Sequence, residues 1–269
     1  MTATDEPVTA TDEPAAPALA RLYDLDLAED PGDLDLYLSI ARRTGGPVLE
    51  LAVGTGRLAV PIAEAGYEVT GVDIDPAMLD RARQRLAAGS PAARRQLNLV
   101  EGDILGLRLP AAGTFNLCFL ALNTLLLLGR QDAQREAVRT MAAHLAPGGL
   151  AVVDAWLPDA DDLVRLDGRI VLEYVRTEPD TGLTITKAAS AQHDAVSQQV
   201  TLTTIYEQSS QGAPARRWVQ VDRLRLVSAD ELTRFAEDAG LEIEQVAGSY
   251  DLSALGPTSD RAILIATRP

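Results

Sequence analysis

Cysteine occurs once in 269 residues, at position 118, so the chain can form no intramolecular disulfide and no thiolate zinc cluster. Cys118 falls in the apolar run 115–122 and reads as a small buried hydrophobe, which suits a reducing, cytoplasmic setting. Basic residues are also scarce: 24 Lys and Arg stand against 39 Asp and Glu, a net charge of −15. That balance argues against nucleic acid or an anionic membrane as partner and favours small neutral or cationic ligands. No apolar stretch is long enough to cross a membrane. The first residues lack a basic segment followed by an apolar core, so no secretory signal is expected. With 46% hydrophobic residues, the length allows one large domain or a domain with an elaborated lid.

What is present begins with a repeat. Ala3-Thr4-Asp5-Glu6-Pro7 recurs as Ala10-Thr11-Asp12-Glu13-Pro14, a polar, acidic stretch that cannot bury a core. Residues 1–18 are therefore expected to be a disordered tail whose removal leaves the fold unaltered. A helical cap over 19–45 precedes the segment Val48 to Arg57, an apolar strand that carries Glu50, turns through Gly54-Thr55-Gly56 and enters a helix. Glycines in such a turn bring a ligand against bare main chain near the donors of a helix start. A carboxylate four residues upstream suits an ammonium and not a phosphate. The strand 67–73 ends in Asp73, placed to hold ribose hydroxyls, and 97–104 reads as a strand with Asp103 near its end, suited to an adenine amino group. Gly54-x-Gly56-x-x-Ala59 also fits a dinucleotide turn, so NAD stands as the rival ligand. A dehydrogenase, however, places its first glycine directly after the strand and has no upstream Glu.

On these residues the chain resembles the class I S-adenosylmethionine-dependent methyltransferases across 19–157. The resemblance implies S-adenosyl-L-methionine as cofactor and S-adenosyl-L-homocysteine as product. It assigns Glu50, Gly54 and Gly56 to the methionine end, Asp73 to the ribose, and Asp103 with Ile104 and Met78 to the adenine, with Arg57 and Ile74 among the cofactor-binding residues. Leu120, at the end of the fourth strand, joins the cofactor set. Tyr23 and Tyr37 close over cofactor and substrate in look-alike sequences, which also makes Tyr23 a candidate catalytic residue. The absence of Asn-Pro-Pro-Tyr, where Leu120-Ala121-Leu122-Asn123 stands, argues against methylation of nucleic-acid amino groups.

Strands and helices alternate through strand 115–120, helix 131–145 and strand 150–156, giving a core over 46–157 with an α/β, Rossmann-like, doubly wound seven-stranded sheet. From 158 to 227 four half-exposed strands and turn-rich joints imply an antiparallel β insertion after the fifth strand, serving as lid or homodimer surface. Ser228-Ala229-Asp230-Glu231 opens the last helix as a capping box, and residues 228–269 complete the core. His144, in the last turn of a helix, reads as structural. Asn123, Trp156, Tyr174 and Arg223 are the candidate substrate contacts. His193 is the one neutral-pH base outside the core, although its sequence setting equally suits an exposed loop. The expected activity is methyl transfer to a small metabolite, with nitrogen ahead of oxygen or carbon as acceptor. A protein that binds the cofactor without turnover is the non-enzymatic alternative.

Overall fold

In the computed structural model of the protein, the described residues are 15–29, 31–179, 181–209 and 214–269. The chain runs through α1 (Ala15–Asp26), α2 (Leu34–Thr44), β1 (Val48–Leu51), α3 (Ala59–Glu64), β2 (Val69–Asp73), α4 (Pro76–Ala88), α5 (Pro91–Gln96), β3 (Leu97–Glu101) and β4 (Phe115–Leu120). It continues through α6 (Thr124–Leu127), α7 (Gln131–His144), β5 (Leu145–Trp156), α8 (Ala160–Arg165), β6 (Asp167–Thr177), β7 (Thr184–Asp194), β8 (Gln199–Ser209) and β9 (Arg216–Arg225). The helix α9 (Ala229–Asp238) and strands β10 (Glu242–Ala247) and β11 (Arg261–Thr267) end it.

Residues 1–14 of the expected tail lie outside the described ones. Residues 15–18, by contrast, open α1, and Ala18 is fully buried, so the ordered cap starts earlier than Leu19. A truncation at residue 18 would remove a packed helical turn.

Seven strands form one sheet in the order β10-β11-β5-β4-β1-β2-β3, with β3, β2, β1, β4 and β5 parallel and β11 antiparallel to both its neighbours. The order reverses between β1 and β4, which opens a crevice at their carboxyl ends. Both faces of the sheet are buried. One large apolar cluster carries Leu120, Phe115 and Phe235, and a second carries Tyr37, Leu79 and Phe119. Local signals set the helices. Asp75 caps α4 by accepting from the Ala77 amide at 2.8 Å, with Pro76 at the first position. Ser228 accepts from Glu231 N at 3.1 Å, but the reciprocal half of the expected capping box is absent, because the Glu231 carboxylate is drawn to Arg225 at 2.7 Å.

The insertion is a separate antiparallel sheet, β6-β7-β8-β9. Its inner face packs Ile185, Tyr206 and Trp218 onto Ala18, Leu22 and Leu25 of α1. Its outer face leaves Ile170, Leu172, Val175, Val219 and Val221 more than half exposed. The strand β7 runs to Asp194, so His193 lies in a ladder opposite Val200 and not in a loop.

Gly71 is the tightest point beneath the crevice: a Cβ there would stand 2.6 Å from Val53 Cγ2, on a β-branched side chain that cannot swing away. Gly71→Ala should destabilise the protein by about 1–3 kcal/mol, seen as a lowered Tm. The double variant Gly71→Ala with Val53→Ala should recover most of that loss in the same melting experiment.

Candidate active site

A small cavity, about 20 Å³, sits at the β1/β4 crevice, lined by Tyr23, Glu50, Ala52, Val53, Thr55, Arg57, Leu58, Ala121, Leu122 and Thr124. Its walls are the segments that follow β1 and β4, closed from above by α1. A larger groove of about 300 Å³ lies elsewhere, between Arg139, Ala239 and Arg268. No side-chain carboxylate, thiol or imidazole lines it, so the smaller cavity is where chemistry converges.

Glu50 is 4% exposed and its Oε2 has no hydrogen-bond partner among the described residues. Burial pushes its carboxyl well above the usual range, although nearby Arg57 and the Ala59 amide at the start of α3 oppose the shift. Arg57 is already committed: its guanidinium grips Asp33 through two 2.6 Å bonds, and Asp33 is fully buried. Two carboxyl groups thus lie beside one guanidinium, and ionising Glu50 leaves the cradle one negative charge in excess. Thr55 Oγ1 is a second buried, unpartnered polar atom at the same turn.

Gly54 and Gly56 take φ of +54° and +75°, a conformation that favours glycine. The turn is pinned by Asp73, whose Oδ2 accepts from Gly54 N at 2.7 Å and whose Oδ1 accepts from Asp75 N at 2.9 Å. Burial raises the Asp73 carboxyl, against the backbone donors that lower it. Beside it Ile74 is 65% exposed, an apolar side chain standing open where a ring could lie, with Met78 half-buried on α4. Asp103 is exposed and accepts from Leu105 N at 2.8 Å, so it is a turn-forming surface acid and not the buried one its expected role suggested. Ile104 is buried in the larger cluster.

Several expected contacts fall elsewhere. Tyr37 packs its ring on Phe119, centroids 4.4 Å apart, and is fully buried away from the cavity lining, with its hydroxyl unpartnered. Leu120 is fully buried in the larger cluster; its successors Ala121 and Leu122 reach the cavity instead. Asn123 spends its side-chain oxygen on Trp156 N at 2.6 Å, tying the ends of β4 and β5 together, and Trp156 packs against the core. Tyr174 donates to Asp26 at 2.5 Å as part of the α1 clamp. Arg223 stands exposed on the outer face of β9, with the same parity as Val219 and Val221. His193 has a buried, unpartnered Nε2, but it is not among the cavity residues. His144 is structural as expected, bonded to Thr140 O at 2.7 Å and accepting from Leu109 N at 3.2 Å.

Tyr23 does reach the cavity, its ring 3.9 Å from the position a Cβ on Gly54 would take. Burial pushes its phenol up to about 12, opposed by Arg57, so it is a neutral hydroxyl at physiological pH. The residues that sequence reasoning missed are Asp33, Thr55, Leu122 and Thr124. Only Asp33 carried a signal, a lone acid directly before an apolar helix.

The unpartnered Glu50 oxygen, the positive-φ glycines that a Cβ would strain and the acid at the end of β2 fit S-adenosylmethionine, with its ammonium at Glu50 and its ribose near Asp73. Comparison with known proteins agrees. Residues 48–149 match the family model described as a methyltransferase domain. The chain is 31% identical over 216 residues to the cypemycin N-terminal methyltransferase of a Streptomyces species, covering 77% of this chain and 76% of that protein. It is 24% identical over 227 residues to a dTDP-4-amino-2,3,4,6-tetradeoxy-D-glucose N,N-dimethyltransferase from Saccharopolyspora spinosa, covering 83% and 82%. The solved structure of the CcbJ methyltransferase from Streptomyces caelestis superposes with a TM-score of 0.75 at 26% identity, covering 96% of this chain and all of that one.

Because the folded-state pKa of Glu50 is raised, its contribution to stability is present below its ordinary value of 4.5 and is lost as pH rises through the folded value. Glu50→Gln should therefore melt no lower than the parent without ligand and should remove that part of the pH dependence. Calorimetry should show S-adenosylmethionine binding weakened by about 2–3 kcal/mol in the variant. Parent affinity should increase with pH over the interval in which Glu50 ionises.

Proposed function

Since the chain belongs to the class I S-adenosylmethionine-dependent methyltransferases, we propose that it methylates an amino group of a small metabolite. The observation that carries this reading is the unpaired Glu50 oxygen in a closed cradle at the β1/β4 crevice, under a lid of its own. When bound, the cofactor supplies an activated methyl on a sulfonium with a good leaving group.

The chain's own residues have three tasks. Glu50 holds the ammonium end, with Arg57 and Asp33 fixing the charge around it. Asp73 orients the ribose while keeping the Gly54 turn in place. Tyr23 shuts the cavity against water and offers a neutral hydroxyl to the incoming acceptor. A phenol or alcohol acceptor needs a base aligned with its hydroxyl during transfer, whereas an amine needs only to be neutral when it attacks. The cavity lining holds no histidine, and its one carboxylate is assigned to the cofactor, which favours nitrogen over oxygen. The two curated relatives compared above are both named as N-methylating enzymes, one acting on an N-terminus and the other on an amino sugar nucleotide.

The test is release of S-adenosylhomocysteine from S-adenosylmethionine across paired panels: amino sugars, cyclic amines and short peptides with a free N-terminus, against the corresponding hydroxy compounds. Turnover is expected with members of the amine panel only. Turnover confined to the hydroxy panel would overturn the choice of nitrogen, and cofactor binding with no turnover in either would favour a binding protein over an enzyme.

A further inference from the structure

The inner face of the inserted sheet carries a row of side chains with no role so far. Along β9, Trp218, Gln220, Asp222 and Leu224 alternate inward while Arg217, Val219, Val221 and Arg223 are exposed on the other face. The two ends of this inner row are covered. Trp218 packs with Tyr206 on α1, and Leu224 packs with Val200 and Ala191 on the larger core that holds Leu125 of α6. Trp218 and Leu224 lie six residue steps apart along the strand, about 20 Å at about 3.3 Å per step.

The stretch between them spans the gap from α1 to α6. These are the elements whose Tyr23 and Thr124 line the cavity from opposite sides. Gln220 and Asp222 of β9, with Thr204 and Leu202 paired to them on β8, make up the inner face between these two covered ends. Neither Gln220, Asp222, Thr204 nor Leu202 belongs to the apolar clusters that cover the row's ends.

Asp222 is half-buried, and its only hydrogen bonds come from the Gln220 amide, whose Nε2 reaches both carboxylate oxygens at 3.1 and 2.9 Å. Among the described residues no Lys, Arg or His lies within ion-pair distance of it. Glu173, an exposed carboxylate on β6 of the same sheet, is by contrast matched by Lys187 at 2.9 Å. A neutral amide orients Asp222 without neutralising it, so this stretch of the inner face carries one fixed, unmatched carboxylate.

We propose that Asp222, positioned by Gln220, is the acceptor-binding residue that selects a protonated amine and places its nitrogen under the sheet, opposite Tyr23. This rests on the amine reading given above and adds the group that recognises the acceptor. A carboxylate here draws the ammonium form out of water, where it predominates at neutral pH, accepts a hydrogen bond from one of its N–H groups and takes that proton before transfer, so that the nitrogen meets the methyl as a neutral amine with its lone pair free.

Two measurements test it. The first needs no turnover. In protein saturated with S-adenosylhomocysteine, the carboxylate carbon resonance of Asp222, assigned by its loss in Asp222→Asn, should shift on titration with cyclohexylammonium and stay fixed with cyclohexanol. A resonance indifferent to the ammonium overturns the proposal. The second compares variants on an amine that the parent methylates. Asp222→Asn should raise the KM for that amine by at least about tenfold with the KM for S-adenosylmethionine nearly unchanged, and Asp222→Glu should stay within about fivefold of the parent. Equal KM values in the parent and Asp222→Asn would also overturn it. Failure of the nitrogen reading itself shows separately, in the acceptor panels with the parent protein.

Discussion

Two buried carboxylates share one guanidinium, and the rest of the cradle is fitted to that imbalance. Arg57 satisfies Asp33 through both of its oxygens, so Glu50, although close enough to feel the same cation, keeps an oxygen with nothing to accept from. An unpaired charge away from water costs several kcal/mol, which is why burial holds the Glu50 carboxyl protonated to unusually high pH. A ligand that brings its own positive charge removes that cost on binding. Elements that have no contact with a ligand serve this arrangement. β1 sits between β2 and β4 so that Glu50 is enclosed on both sides, and Asp73 fixes the turn that follows by holding the Gly54 amide.

The second dependence runs through α1. Consecutive residues of a helix point about 100° apart, and Leu22, Tyr23 and Asp24 use that spread to face three different neighbours. Leu22 packs on the inserted sheet, Tyr23 lines the cavity, and Asp24 binds Arg81 and Arg85 of α4 at 2.6 and 2.8 Å. Asp26, one turn on, accepts from Tyr174, Tyr206 and Lys187 at 2.5 to 2.6 Å, and Arg21 pairs with the buried Glu178 at the far end of β6. The inserted sheet is therefore joined to the cofactor cradle through the same helix that closes the cavity. A shift of the sheet moves Tyr23, and a shift of Tyr23 is felt at Asp26.

How much of this was legible in the sequence depends on the range of each interaction. The strand-turn-helix at 48–57, the acid at the end of β2 and the cap at Asp75 are local patterns, and all of them appear where expected. The β-rich insertion was legible from alternation alone. The faces of its strands were not, because each mixes apolar and polar residues on both sides, so Tyr174 and Arg223 looked equivalent although one is clamped inward and the other exposed. Tertiary pairings were invisible: Arg57 finds Asp33 across 24 residues, and Asp26 finds its three partners across 148 to 180. Tyr37 and Leu120 went wrong in another way. Their neighbourhood in the chain is that of the site, but the site's own walls need side chains to fill the space behind them, and these two do so.

Backbone strain marks the same place. Among the described residues five that are not glycine have positive φ, and Ala52 at +57°, Leu122 at +46° and Asn123 at +63° lie at the carboxyl ends of β1 and β4. Such a conformation costs on the order of 1 kcal/mol or more for each, and it persists only where surrounding contacts impose it. At Leu122 and Asn123 the contact is visible: Asn123 accepts from Trp156 N at 2.6 Å, and the Thr124 hydroxyl donates to Ala121 O at 2.7 Å. These bonds bend the chain sharply after β4 and turn Leu122 into the cavity, where a relaxed continuation of the strand would carry it past. The Ala52 conformation does the same after β1, sending the chain into the glycine turn directly beneath Tyr23. The two strained corners meet at the switch point of the sheet, where Ala52 and Leu122 both line the cavity.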